Sequence, residues 1–127
     1  MPYFEDITDC GVCPHKDAFA PDGVKPYYRV VRENPVTSNS FLPTPIREGF
    51  EIDPCIAKSV SIYDSPDGIR NGYSKTPALK NKPGFIATLV LRPEDGMLKQ
   101  TFSNGHHSWW RSTSFDHNNV TVQLVGV

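Results

Sequence analysis

Long apolar runs are what this sequence most plainly lacks. None approaches the roughly 20 residues that a bilayer-spanning helix needs. With 38% hydrophobic and 21% charged residues, the composition is that of a globular domain. A membrane partner is therefore not expected. Charge of one sign is missing too: 13 basic against 14 acidic residues leave a formal net charge of −1. Lysine and arginine are scattered, without the basic stripe that neutralises several phosphates in a nucleic-acid-binding domain, so nucleic acid is not an expected partner. Cysteine is scarce, and three of them do not describe a disulfide framework. Glycine-rich phosphate loops, nucleophile elbows and calcium loops are all absent. The opening Met1-Pro2-Tyr3-Phe4-Glu5-Asp6 has neither the basic nor the apolar region of a secretory leader, and the expected address is the cytoplasm.

What is present in excess is proline. Twelve in 127 residues is about twice the usual ~5%, and each removes a backbone donor and restricts its predecessor. Long helices are hard to place under that constraint. The expectation is one α+β, strand-dominated domain spanning 1–127. It has an irregular N-terminal arm over 1–22 and a sheet-containing body over 23–127 of about four to five strands, with one or two short helices and long proline-rich loops. Tyr27 to Arg32 is aromatic and β-branched and reads as the first strand. Lys58 to Tyr63 alternates in part, and Ser65-Pro66-Asp67 then offers a cap, a first-turn proline and an early acid for a short helix. Phe85 to Leu91 is nearly all apolar, which suggests a central strand buried on both faces. Pro93-Glu94-Asp95-Gly96 is a turn signal, so 85–102 is expected to be a hairpin. Residues 73–84 read as loop. The last strand, Val120 to Val125, carries no charge; it is expected inside the sheet, or else, over 119–127, as the contact of a homo-oligomer.

Three constellations could carry chemistry. Cys10-Gly11-Val12-Cys13-Pro14-His15 brings two sulfurs to one side of a turn, and Cys10, Cys13 and His15 are candidate zinc ligands, with Cys55 or another histidine as a fourth. The bland alternative is plain reduced cysteines in a loop. A redox role is less well supported, because acidic Glu5, Asp6 and Asp9 precede the motif and raise thiol pKa values. Gly105-His106-His107-Ser108-Trp109-Trp110-Arg111 joins the histidines, acid, base or metal ligand near neutral pH, to the tryptophans, which can stack on a ligand. On a strand, His106, Ser108 and Trp110 would share one face, with His107, Trp109 and Arg111 on the other. Core anchoring by the tryptophans is the competing reading.

The third set is Tyr28, Arg29, Ser59, Ser61, Tyr63 and Arg70: an early Tyr-Arg strand, then a strand of spaced serines before a short helix, then a later hairpin. That order resembles small ADP-ribosyltransferase-like domains, in which an early basic residue and a Ser/Tyr strand flank the nicotinamide. No glutamate stands where the family places its catalytic acid. Three functions compete. A binding domain would use Trp109, Trp110, His106, His107, Tyr28 and Arg29, with the loop over 34–54 as a further wall, to hold a small polar or aromatic ligand or a peptide. An enzyme would use His106 or His107 as acid or base and Arg29 or Arg111 to orient an anion. A structural protein would self-assemble through the last strand. The binding domain is preferred, since the residues do not assemble a complete catalytic set.

Overall fold

The computed structural model describes residues 2–43, 53–74, 84–102 and 105–124. Within them the chain forms β1 (Pro26–Val31), α1 (Pro54–Ala57), β2 (Val60–Tyr63), α2 (Pro66–Ser74), β3 (Phe85–Val90), β4 (Gly96–Gln100), β5 (His106–Arg111) and β6 (Thr121–Leu124). Short 3-10 turns at Ser38–Phe41, Pro93–Asp95 and His117–Asn119 fill the connections. None of the described helices is long and apolar enough to cross a membrane.

All six strands belong to one antiparallel sheet in the order β4-β5-β2-β1-β3-β6. The strand-dominated α+β architecture is as expected, with six strands rather than four or five. The extra one is β5, the His-Trp segment. Its pairing corrects two further expectations. The hairpin over 85–102 does not form: β3 pairs with β1 and β6, and β4 pairs with β5. The Pro93–Asp95 turn instead carries the chain across the sheet, held by Asp95, whose carboxylate accepts from Arg92 N–H at 2.7 Å. β3 is flanked on both sides, but β2 and β1 hold the centre, and β6 is an edge rather than an interior strand.

Residues directly opposite one another across an antiparallel pair share a face, so the registers assign both surfaces of the sheet. One face carries the main core: Tyr27 and Val31 of β1, Val60 and Ile62 of β2, Ala87 and Leu89 of β3, Leu98 of β4 and Trp109 of β5. Phe41 of the first 3-10 turn, fully buried, packs edge-on against Trp109 and Phe115 from outside. Phe41 thus plugs the core, whereas its neighbour Leu42 is exposed. Of the loop expected over 73–84, Tyr73 and Ser74 instead complete α2, and residues 75–83 lie outside the described ones.

A second, smaller cluster forms on the opposite face around Trp110, with Ile7, Cys55 and Met97. The N-terminal arm covers it. Phe19 and Leu98 exchange backbone hydrogen bonds at 2.8 Å each, so the arm pairs with β4. α1 joins the same cluster: Asp53 caps it, accepting from Cys55 N–H at 2.8 Å, and Pro54 occupies its first turn, where a missing donor costs nothing. Cys13 and Cys55 form a disulfide that fastens the arm to α1. This overturns the expectation of unpaired cysteines; only Cys10 is free.

Candidate functional site

A set of polar residues lies on the face opposite the main core, whereas Arg29, His107 and Arg111 register with the core face. Register places Thr88, Tyr28, Tyr63 and His106 in one row across β3, β1, β2 and β5. Beside it runs a second row, Ser61, Ser108 and Lys99, across β2, β5 and β4. The rings of Tyr63 and His106 meet edge-on at 5.2 Å. β1 and β2 share the single registered pair Tyr28↔Tyr63, whereas β1 runs beside β3 along its whole length. The row therefore crosses the sheet at its least zipped seam.

His106 is 9% exposed. Its Nδ1 lies 2.9 Å from Thr101 Oγ1, which lies 2.9 Å from Ser108 Oγ, making a buried Ser-Thr-His chain. Burial pushes the imidazole below its ordinary pKa, and the neighbouring His107 pushes the same way, opposed by the Thr101 backbone, which favours the protonated ring as a hydrogen-bond acceptor. His106 is therefore neutral at pH 7. With Thr101 accepting from Nδ1–H and donating to Ser108, Nε2 carries the lone pair that a base requires. Burial also raises the Tyr63 phenol, with the Arg29 charge opposing.

The remaining candidates have structural partners. Arg29 points its guanidinium at three backbone carbonyls: Ser40 at 2.9 Å, Ser61 at 2.8 Å and Leu42 at 2.9 Å. Burial, reinforced by the charge of Arg111, lowers its pKa to about 10. Arg111 lies over the Phe4 ring, pairs with Glu5 at 3.1 Å and donates to Ser38 O. The two arginines thus hold the same 3-10 turn from two sides. His107 donates from Nδ1 to Gly105 O at 2.9 Å and packs edge-on against Tyr27. Trp109 is fully buried and donates to Asp95 O; Trp110, 2% exposed, donates to Cys55 O. Both rings belong to cores and present no face to a ligand.

Among the described residues, surface clefts occur elsewhere. One of about 270 Å³ is lined by residues including Leu89, Arg92, Asp95, Phe115 and Asn119. Another, about 210 Å³, lies between Asn34–Val36 and the His117 turn. The loop over 34–54 thus borders a cleft, but His106 to Arg111 do not line it.

The Cys10, Cys13 and His15 set is also rearranged. Cys13 is bonded to Cys55, so neither sulfur is a thiolate in this state. His15 Nε2 instead meets Asp53 Oδ2 at 3.2 Å, and its Nδ1 meets Lys99 Nζ at 2.8 Å. Lys99 in turn pairs with Asp17 at 3.1 Å. Burial alone would raise the Asp53 carboxyl, but hydrogen bonds from Cys55 N–H, His15 and Ile56 N–H outweigh it and hold the pKa low. Sequence reading missed Thr101, Asp53 and Lys99. Asp53-Pro54 was legible as a cap with a first-turn proline; nothing local marks Thr101 or Lys99, which acquire partners only through strand pairing. Comparison with protein-family models, curated proteins and solved structures finds no match to this chain.

Proposed function

We propose that this chain is a binding domain for a small, aromatic, negatively charged molecule, seated where β1, β2 and β5 meet. What carries the reading is the cross-strand row Tyr28–Tyr63–His106, two phenols and a neutral imidazole at the loosest seam of the sheet. Arg29, whose charge acts on Tyr63, supplies the positive field. Tyrosine rings offer stacking surface with a polar tip, the usual lining of a small-molecule site. The site differs from a tryptophan-lined pocket, since both indoles are buried.

A second reading is ADP-ribosyl transfer from a nicotinamide dinucleotide. It is favoured by one observation: Tyr28, Arg29, Ser61 and Tyr63, which carry the sequence resemblance, sit on adjacent strands with His106 opposite Tyr63. In such a reaction the bond from ribose C1′ to the nicotinamide nitrogen breaks, and nicotinamide leaves with the electron pair. An acceptor oxygen or nitrogen bonds C1′, and its proton passes to His106 Nε2 as general base.

Isothermal titration with NAD separates these outcomes. Binding that Tyr63→Ala weakens at least about tenfold supports the site, a loss of about 1.4 kcal/mol. Release of nicotinamide by wild type but not by His106→Gln supports the transferase. No heat with NAD, ADP-ribose or nicotinamide would sink both. A cytoplasmic address and pairing of two copies through β6 belong to the same proposal. In the reducing cytosol Cys13 and Cys55 would be held as thiols.

A further inference from the structure

We propose that the reduced protein binds a divalent metal ion, zinc by the chemistry of its donors, between the N-terminal arm and α1, with Cys13 Sγ, Cys55 Sγ, His15 Nε2 and Asp53 Oδ2 as ligands. The site is independent of the seam between β1 and β2. His15, Asp53 and Cys55 each offer one ligand atom, and the three lie within 4.8 Å of one another. Cys13 stands outside that group of three, but its sulfur is bonded to that of Cys55, so reduction frees a second thiol beside a member of the group. Zinc ligands at bond lengths of about 2.0–2.3 Å in a tetrahedron stand ~3.3–3.8 Å apart. The group of three therefore needs to contract by roughly 1 Å at its widest, while the two sulfurs, once reduced, must move apart to the same spacing. Two thiolates, an imidazole and a carboxylate are donors that suit zinc, while magnesium and calcium require oxygen.

The surroundings already orient the donors. Asp53 Oδ1 is fixed by Cys55 N–H and Ile56 N–H, which leaves Oδ2 turned toward His15. Trp110 Nε1–H anchors the Cys55 carbonyl at 2.8 Å. Once Nε2 binds the ion, Nδ1 must carry the ring proton and can no longer accept from Lys99. Lys99 has an alternative partner in Asp17, at 3.1 Å. Cys10 packs against the same cluster but does not belong to the ligand group. This revises the sequence expectation: Cys10 drops out, Cys55, expected as one of the possible fourth ligands, is kept, and Asp53 is added.

Oxidation state controls the site. The disulfide accepts two electrons and two protons from a dithiol reductant, itself oxidised to a disulfide, and becomes two thiols. Each thiol releases its proton as its sulfur bonds the ion. The oxidised form retains only the His15 and Asp53 donors.

The test uses the full chain, oxidised and phosphine-reduced, with zinc chloride read by native mass spectrometry and cobalt(II) read by visible absorption. The expected result is one zinc ion on the reduced protein and none on the oxidised one, with cobalt bands showing tetrahedral geometry and thiolate charge transfer. His15→Ala and Asp53→Asn, at partly exposed positions that spare the disulfide, should each weaken zinc by more than the 10–100-fold of an outer-shell loss. Cys10→Ser should bind normally. Equal binding by the oxidised form overturns the proposal. So does loss of zinc in Cys10→Ser, or no zinc on reduced protein that keeps its near-ultraviolet circular dichroism.

Discussion

At 9% exposure the His106 ring is still tied into a hydrogen-bond chain with Thr101 and Ser108. Its desolvation has a consequence for stability. The folded pKa lies below the ordinary 6.5, so below that value the unfolded chain binds a proton that the folded chain refuses. Stability therefore falls as pH drops below about 6.5, with a slope of at most about 1.4 kcal/mol per pH unit from this one group. Urea unfolding at pH 7.5 and 5.5 should show that loss in wild type and a smaller one in His106→Gln. An identical pH slope in the two proteins would assign the titration elsewhere. Arg29 illustrates the opposite use of a polar side chain. Its planar fork meets three carbonyls from two segments, a geometry that a lysine ammonium cannot reproduce. The same residue therefore ties the Ser38–Phe41 turn to β2 and contributes positive potential to the seam.

Strands were legible where residue type alone decides them. The runs expected over Tyr27 to Arg32 and Phe85 to Leu91 form β1 and β3, ending at Val31 and Val90, because aromatic and β-branched residues suit a pleated, half-buried surface. Pairing was less legible, since it depends on which faces must be covered rather than on local propensity. Pro93 to Gly96 reads as a hairpin turn, yet Leu91, Leu98 and Trp109 bury in one cluster only if β4 moves to the far edge. Gly96 records that crossing. Its φ of +134° is open to glycine and strained for other residues, and a Cβ there would overlap the Trp110 carbonyl oxygen. Gly96→Ala is thus expected to cost upwards of about 2 kcal/mol, measured as a lowered thermal midpoint. An unchanged midpoint would mean that β4 can shift away from β5 without loss. The candidate site was legible only in part. Tyr28, Tyr63 and His106 stand out by residue type, but their common row, the Thr101 link and the Cys13–Cys55 bond arise from contacts between distant segments.

The two edges of the whole sheet are unequally protected. β4 has the N-terminal arm hydrogen-bonded along it at Phe19 and is crossed by the charged Lys99. The Cys13–Cys55 bond, closing a sequence separation of 42, reinforces that cover; a loop of this length restricts the unfolded chain by an amount on the order of 4 kcal/mol. β6 has no such cover among the described residues. Its Thr121, Val122, Gln123 and Leu124 include no charge, proline or bulge, the devices by which natural edges resist pairing. Two copies meeting antiparallel through β6 would continue the sheet and satisfy both rows of backbone groups, a closed twofold arrangement. Light scattering should therefore give a mass that rises from 14.2 kDa toward twice that value with concentration. Gln123→Lys puts two like charges near one another across such a contact and should hold the mass at one chain. A wild-type mass of one chain at every concentration would remove β6 as an interface, and a dimer that Gln123→Lys leaves intact would place the interface elsewhere.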